Sequence, residues 1–129
     1  MAIRTFFSHM LENKQILIYG DGTQKRDFTY VSDIINGLIL AGENDKSIGE
    51  AFNIGGSNPI TVKELVNKMY NITKVEKKIR FVENQKGDVS ATYSDISKAR
   101  KILNFEPKVS IEVGLKNQYE WQLSRIKSN

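Results

Sequence analysis

Residues 16–41, ILIYGDGTQKRDFTYVSDIINGLILA, carry the pattern from which the rest of the chain is assigned. Gln15-Ile16-Leu17-Ile18-Tyr19 is a short β-branched and aromatic run and predicts a strand. Gly20-Asp21-Gly22-Thr23 ends it in a turn. Arg26-Asp27-Phe28-Thr29-Tyr30 is a second extended stretch. Val31, Ile34, Ile35, Leu38 and Ile39 then recur at helical spacing and mark a helix to about Ala41.

The same alternation continues on both sides. Residues 2–12 predict an amphipathic helix, because Ile3, Phe6, Phe7, Met10 and Leu11 follow the i, i+3, i+4, i+7, i+8 pattern of one buried face. The apolar start at residue 1 suggests a piece of something larger. Ala51-Phe52-Asn53-Ile54 predicts a strand stopped by Gly55-Gly56. Thr61-Val62-Lys63-Glu64 is a capping box, with Ile60 and Leu65 at the staple positions, and opens a helix to about Tyr70. Lys78-Ile79-Arg80-Phe81-Val82 is a further strand. Asp95 caps a short helix with Ile96, Ala99, Ile102 and Leu103 inward, ending before Pro107. Ser110 caps the last helix, which has Ile111, Leu115 and Tyr119 on one face. The fold class is α/β: a small mixed domain of short strands and about five helices, residues 1–129 forming a single domain.

Composition narrows the chemistry. The 129 residues are 40% hydrophobic and 26% charged, ordinary values for a globular domain. There is no cysteine, which excludes disulfides, thiolate catalysis and zinc–thiolate sites. The one histidine, His9, falls on the polar side of the first helix, so no multi-histidine metal centre is expected. No apolar run approaches the ~20 residues of a membrane span, and no signal peptide is recognised, so no membrane partner and a cytoplasmic location are expected. The net charge of +4 comes from scattered residues with no aromatic interleaving, so no nucleic-acid partner is expected.

Three segments could carry chemistry. In Gly20-to-Asp27, GDGTQKRD, the Arg26 guanidinium is a planar fork suited to a phosphate or diphosphate. The bland alternative is a hairpin turn with a surface Arg–Asp pair. Gln85-Lys86-Gly87-Asp88 reads as a loop, or as a loop that offers the Asp88 carboxylate to a sugar hydroxyl. Tyr70-Asn71-Ile72-Thr73-Lys74 spells Tyr-x-x-x-Lys, an acid/base pair when it lies on one helix face. Here it falls where a helix is ending, and is read as coincidence.

Taken together, residues 16–41, AFNIGGSNPITVKELV (51–66) and GDVSATYSDISKARKILNFEPKVSIEVGL (87–115) resemble the C-terminal, substrate-binding part of NAD-dependent nucleotide-sugar epimerases and dehydratases. These form part of the extended short-chain dehydrogenase/reductase family, and the nearest types are UDP-glucose 4-epimerase, UDP-glucuronate epimerase and UDP-glucuronate decarboxylase. The resemblance runs from the first helix to the last. It implies that Leu17, Ile18 and Tyr19 lie beside a uracil ring, that Arg26 holds the diphosphate and that Asp88 bonds the ribose. Several members have an arginine at the position of Gln85, three residues before that aspartate; the amide here supplies no charge, and Lys86 is a point charge rather than a fork.

The resemblance also implies what to expect of the whole chain. The family's Rossmann half, with its Gly-rich NAD loop, catalytic Ser/Thr and functional Tyr-x-x-x-Lys, lies upstream of the matched region. The expectation is therefore a UDP-sugar or UDP binding domain with no catalytic residue, no metal and no NAD site of its own, inactive alone. A Rossmann-domain partner or self-association would cover the surface that the family packs on that half. The alternatives are an interaction module completing a heteromer with a separate Rossmann subunit, and a ligand-free remnant.

Overall fold

The computed structural model describes residues 2–127, and the order of its elements follows the sequence pattern closely. Helix α1 (Ala2–Leu11) leads into strand β1 (Ile16–Tyr19), and the two-residue strand β2 (Lys25–Arg26) precedes helix α2 (Val31–Gly42). A single 3-10 turn, Asp45–Ser47, and an irregular segment lead to β3 (Ile60–Thr61) and helix α3 (Val62–Thr73). Strand β4 (Ile79–Val82), helix α4 (Ser97–Leu103) and helix α5 (Ile111–Lys127) complete a mixed α/β domain with five α-helices.

Strands β1 and β4 pair in parallel, Ile16 opposite Ile79 and Tyr19 opposite Val82. A parallel pair needs a crossover, and α3 lies on that connection. Alternation then sorts β1: Ile16 and Ile18 are fully buried, whereas Leu17 and Tyr19 turn to the other face. The main core gathers Phe7 and Met10 of α1, Ile16 and Ile18 of β1, Leu65, Val66, Met69 and Tyr70 of α3, and Leu115 of α5. A second cluster, Ile96, Ala99, Leu103 and Phe105, packs with Phe52, Ile54 and Leu40.

The capping box forms in full. Thr61 Oγ1 accepts from the Glu64 N–H at 3.1 Å, and the Glu64 carboxylate accepts from the Thr61 N–H at 2.9 Å. The helix it opens runs past Tyr70 to Thr73 and ends at Lys74 in the left-handed conformation, φ 58°. Ser110 Oγ accepts from the Val113 N–H at 3.3 Å at the start of α5. Asp95 sits one residue further out than expected: Ile96 takes the N-cap position, and the Asp95 carboxylate accepts from the Ser97 N–H at 2.9 Å.

Other expectations are corrected. Residues 51–54 form no strand, because no described strand runs beside them to complete a ladder. Phe52 and Ile54 instead pack into the second cluster, and Asn53 Nδ2 donates to the Asp95 carbonyl at 3.2 Å. Of the extended stretch 26–30 only Arg26 is in a strand, because β3 is two residues long and pairs Ile60 with Arg26 and Thr61 with Lys25. His9, on the polar side of α1, is half-buried rather than fully exposed, with Nδ1 3.1 Å from the Gln15 carbonyl.

Helix α2 has an inverted arrangement. An apolar stripe on a surface helix normally faces the core. Here Val31, Ile35, Leu38 and Ile39 are 50–66% exposed, while Asp33 and Gly37 are buried. Asp33 accepts from the Val109 N–H at 3.0 Å, and a Cβ on Gly37 would meet Ile54 Cγ2 at 2.7 Å.

Candidate functional site

A cleft of about 380 Å³ opens between α1, β1 and the start of α3. Ala2, Thr5 and Phe6 of α1 form one wall, Leu17, Ile18 and Tyr19 of β1 another, and Phe28 and Val62 close the apolar part. Gln24, Arg26 and Asp88 supply polar groups.

Strand β1 contributes an open edge. The Ile16 N–H donates to the Lys78 carbonyl at 2.8 Å and the Gly20 N–H to the Val82 carbonyl at 2.9 Å, so the main-chain groups of alternate residues from Ile16 serve β4. Those of Leu17 and Tyr19 face the opposite edge. There Gln24 Nε2 donates to the Tyr19 carbonyl at 2.8 Å, tying the turn back onto the strand. The turn between them requires glycine: Gly20 has φ +68°, and a Cβ there would stand 2.1 Å from Asn84 Oδ1. Asp21 braces the same turn, accepting from the Thr23 hydroxyl at 2.6 Å and its N–H at 2.9 Å, and these bonds hold its carboxyl below the usual range.

Arg26 and Asp88 are brought together across 62 residues of sequence. Strand β2 lies between β3 and the segment 90–92: Lys25 donates to the Ser90 carbonyl at 2.8 Å, and the Thr92 N–H donates to the Lys25 carbonyl at 3.1 Å. That clamp holds the loop 85–88 over Arg26. Within the loop, the Asp88 N–H donates to the Gln85 carbonyl at 3.1 Å, and Gly87 takes φ +85°. Arg26 Nη2 donates to Asp88 Oδ1, and Nη1 donates to the Lys25 carbonyl at 2.7 Å. The Arg26 side chain is 21% exposed and that of Asp88 37%, so the pair sits at the rim of the cleft.

The next residue is the organiser of these loops. Asp27 Oδ2 accepts from the Ser57 N–H at 3.0 Å and the Ser94 N–H at 3.1 Å. The Asp27 N–H donates to Thr92 Oγ1 at 3.3 Å. Gly55 and Gly56 permit this approach, since a Cβ on Gly55 would meet Ser94 Cβ at 2.4 Å and one on Gly56 would meet the Phe28 carbonyl at 2.7 Å. The surface pair anticipated within the segment 20–27 is thus not Arg26 with Asp27; the partner is Asp88.

Of the six residues singled out from sequence, Leu17, Ile18, Tyr19, Arg26 and Asp88 line one cleft. The Ile18 side chain points into the core, so only its backbone faces the site. Gln85 is exposed, is not among the lining residues, and enters only through its carbonyl. Phe6, Phe28 and Val62 also line the cleft and carry no sequence signal of it, since apolar side chains look alike whether they line a core or a cleft; Gln24, in the turn, reads simply as a solvated polar residue. Tyr70-x-x-x-Lys74 is structural. The Tyr70 hydroxyl is 2.9 Å from the Lys78 N and 3.2 Å from its carbonyl, buried against β4, while Lys74 closes α3.

The arrangement defines a class: an α/β domain whose cleft combines apolar walls, an open strand edge, a guanidinium and a carboxylate, suited to an anionic ligand with hydroxyl groups. Among the described residues no cluster of His, Asp or Glu could hold a metal, and no helix is long and apolar enough to cross a membrane.

Known proteins sharpen the class. The family model described as GDP-mannose 4,6 dehydratase matches residues 2–118. UDP-glucuronate 4-epimerase of Thermodesulfobacterium geofontis is 41% identical over 128 residues, 98% of this chain and 39% of that protein. UDP-glucuronic acid decarboxylase 1 of Arabidopsis thaliana is 36% identical over 114 residues, 88% of this chain and 26% of that one. The crystal structure of UDP-glucuronic acid 4-epimerase from Bacillus cereus, in complex with UDP-glucuronic acid and NAD, superposes with a TM-score of 0.91 at 36% identity, over 97% of this chain and 40% of that one. The chain belongs to the extended short-chain dehydrogenase/reductase family of NAD-dependent nucleotide-sugar epimerases and dehydratases, and corresponds to the C-terminal part of its members. It spans about 40% of the length of the first of these relatives.

Proposed function

We propose that this chain is the nucleotide-sugar binding part of an NAD-dependent epimerase/dehydratase-type protein, takes a UDP-sugar or UDP in the α1–β1 cleft, and performs no catalysis alone. One observation carries this: residues from three separate segments, selected for a nucleotide diphosphate, converge on one cleft. The edge of β1 away from β4 carries the main-chain groups of Leu17 and Tyr19, beside their exposed side chains, and these suit the polar rim of a pyrimidine. Arg26 supplies a bidentate donor for the diphosphate, and Asp88 an acceptor for ribose hydroxyls.

The described residues do not fit NAD. Gly20-Asp21-Gly22 leads from one strand to another rather than to a helix N-terminus, the element that receives a dinucleotide pyrophosphate. Tyr70 is committed to the Lys78 backbone. No proton or hydride step is therefore assigned to this chain's residues. We further propose that the outward stripe of α2, with residues 51–54 beneath it, receives a dinucleotide-binding domain, and that its activity resides in that assembly. Gly37 of α2 seats Ile54 on the helix face opposite the stripe, so the segment 51–54 backs the helix and leaves the stripe outward. In this arrangement the chain is an interaction module as well as a binding domain.

The test is a titration with UDP followed through backbone amide NMR shifts. Saturable shifts at Leu17–Tyr19, Arg26 and Asp88 are expected. A folded protein with no shifts at millimolar UDP would leave a structural fragment with no nucleotide site of its own.

A further inference from the structure

The fold supplies Arg26 with an internal anion before any ligand anion is considered. Arg26 Nη2 donates to Asp88 Oδ1, and the two β-contacts flanking Lys25 hold the loop that delivers the carboxylate. Nothing else competes for Asp88 among the described side-chain contacts, and one N–H of the second guanidinium nitrogen goes to the Lys25 carbonyl, which steadies the fork. We infer that Asp88 is a specificity-determining residue that screens anions: it withholds Arg26 from a bare phosphate or diphosphate, and releases it to a diphosphate that brings a vicinal diol. This rests on the cleft being a nucleotide-diphosphate site.

The chemistry is an exchange of partners. A nucleoside diphosphate gives Arg26 a phosphate in place of the carboxylate, and gives Asp88 ribose hydroxyls in place of the guanidinium. Both charged groups keep charge-assisted hydrogen bonds throughout. Inorganic diphosphate satisfies only half of this. It takes Arg26 but strands Asp88 beside a second anion, without the vicinal hydroxyls that a ribose offers a carboxylate. Discrimination thus comes from a repulsive element built against the wrong ligand as well as an attraction to the right one. The partly exposed position limits the size of the effect, because solvent screens the pair. Gln85 fits this arrangement: with a neutral residue three positions before Asp88, Arg26 is left as the cation that Asp88 controls.

The experiment is calorimetric titration of the 129-residue chain and its Asp88→Asn variant with inorganic diphosphate and with UDP. Asn keeps the shape and a carbonyl acceptor but loses the charge. Inorganic diphosphate is expected to bind the variant about two- to fivefold more tightly, the scale of removing one partly exposed charge pair. The preference for UDP over inorganic diphosphate is expected to shrink by more than that factor. Unchanged or weaker diphosphate binding by the variant overturns the inference. If the wild-type chain binds UDP and the variant loses UDP affinity alone, Asp88 is a ribose contact without a screening role, and the nucleotide site stands. If the variant gains diphosphate affinity while neither form binds UDP, Asp88 still withholds Arg26 from bare diphosphate, but its release to a nucleotide is overturned and the nucleotide reading falls with it. If no ligand binds either form, both fall.

Discussion

At the scale of residues, the proposed nucleotide site places most of its weight on Arg26. Replacing it with alanine removes the bidentate donor and also leaves Asp88 unneutralised at the rim of the same cleft. Loss of a hydrogen bond to a charged group costs about 1.5–3 kcal/mol. Arg26→Ala is therefore expected to weaken UDP binding by about ten- to 150-fold in calorimetry, with the fold intact by circular dichroism. Equal affinity in the variant removes Arg26 from the site. The guanidinium was legible from sequence because its neighbours are turn formers and no apolar periodicity claims it. Its partner was not: the adjacent Asp27 was the nearer candidate, yet its carboxylate is used by the N–H groups of Ser57 and Ser94. Local spacing does not encode a contact made across 62 residues.

At the scale of elements, the clearest signals were those in which a side chain answers a backbone group within a turn of it. The Thr61–Glu64 box is the best case, and it sets where Val62 enters the cleft wall. The Thr61 N–H and hydroxyl donate to the Glu64 carboxylate and hold its pKa below the ordinary 4.5. A depressed carboxyl favours the folded state fully above about pH 4.5, and its contribution is lost as pH falls through the lower folded value. Thr61→Ala is expected to destabilise the chain by about 1 kcal/mol, the usual value of an N-cap oxygen. It should also flatten the acid limb of a stability-versus-pH curve below pH 4.5 relative to wild type. Parallel acid limbs in the two proteins would show that the box does not couple to protonation. Residues 51–54 mark the opposite case. Their composition is that of a strand, but a strand exists only with a neighbour to pair, and β propensity is a statement about fit to a sheet rather than about the backbone itself.

At the scale of the molecule, the periodicity of α2 identified a helix correctly but said nothing about which side of it meets this chain's own core. The stripe of Val31, Ile35, Leu38 and Ile39 faces outward, and the helix is held from behind by Gly37 on Ile54 and by the Asp33 carboxylate on the Val109 N–H. Contiguous exposed apolar surface of this kind marks an interaction site. With the dinucleotide-binding domain as the proposed occupant, the 129-residue chain alone is expected to self-associate with rising concentration in sedimentation velocity, and to bind an apolar dye. Ile35→Glu with Leu38→Glu places two charges in the middle of the stripe. Both side chains are at least half exposed, so the double variant should stay within about 0.5 kcal/mol of wild-type stability per site while association and dye binding fall together. Adding a dinucleotide-binding domain from a relative should then dissociate the wild-type assembly in favour of a mixed complex, and leave the charged variant untouched. A wild-type chain that sediments as a clean monomer and binds no dye would mean that the α2 stripe tolerates water, and that the helix has no partner to find.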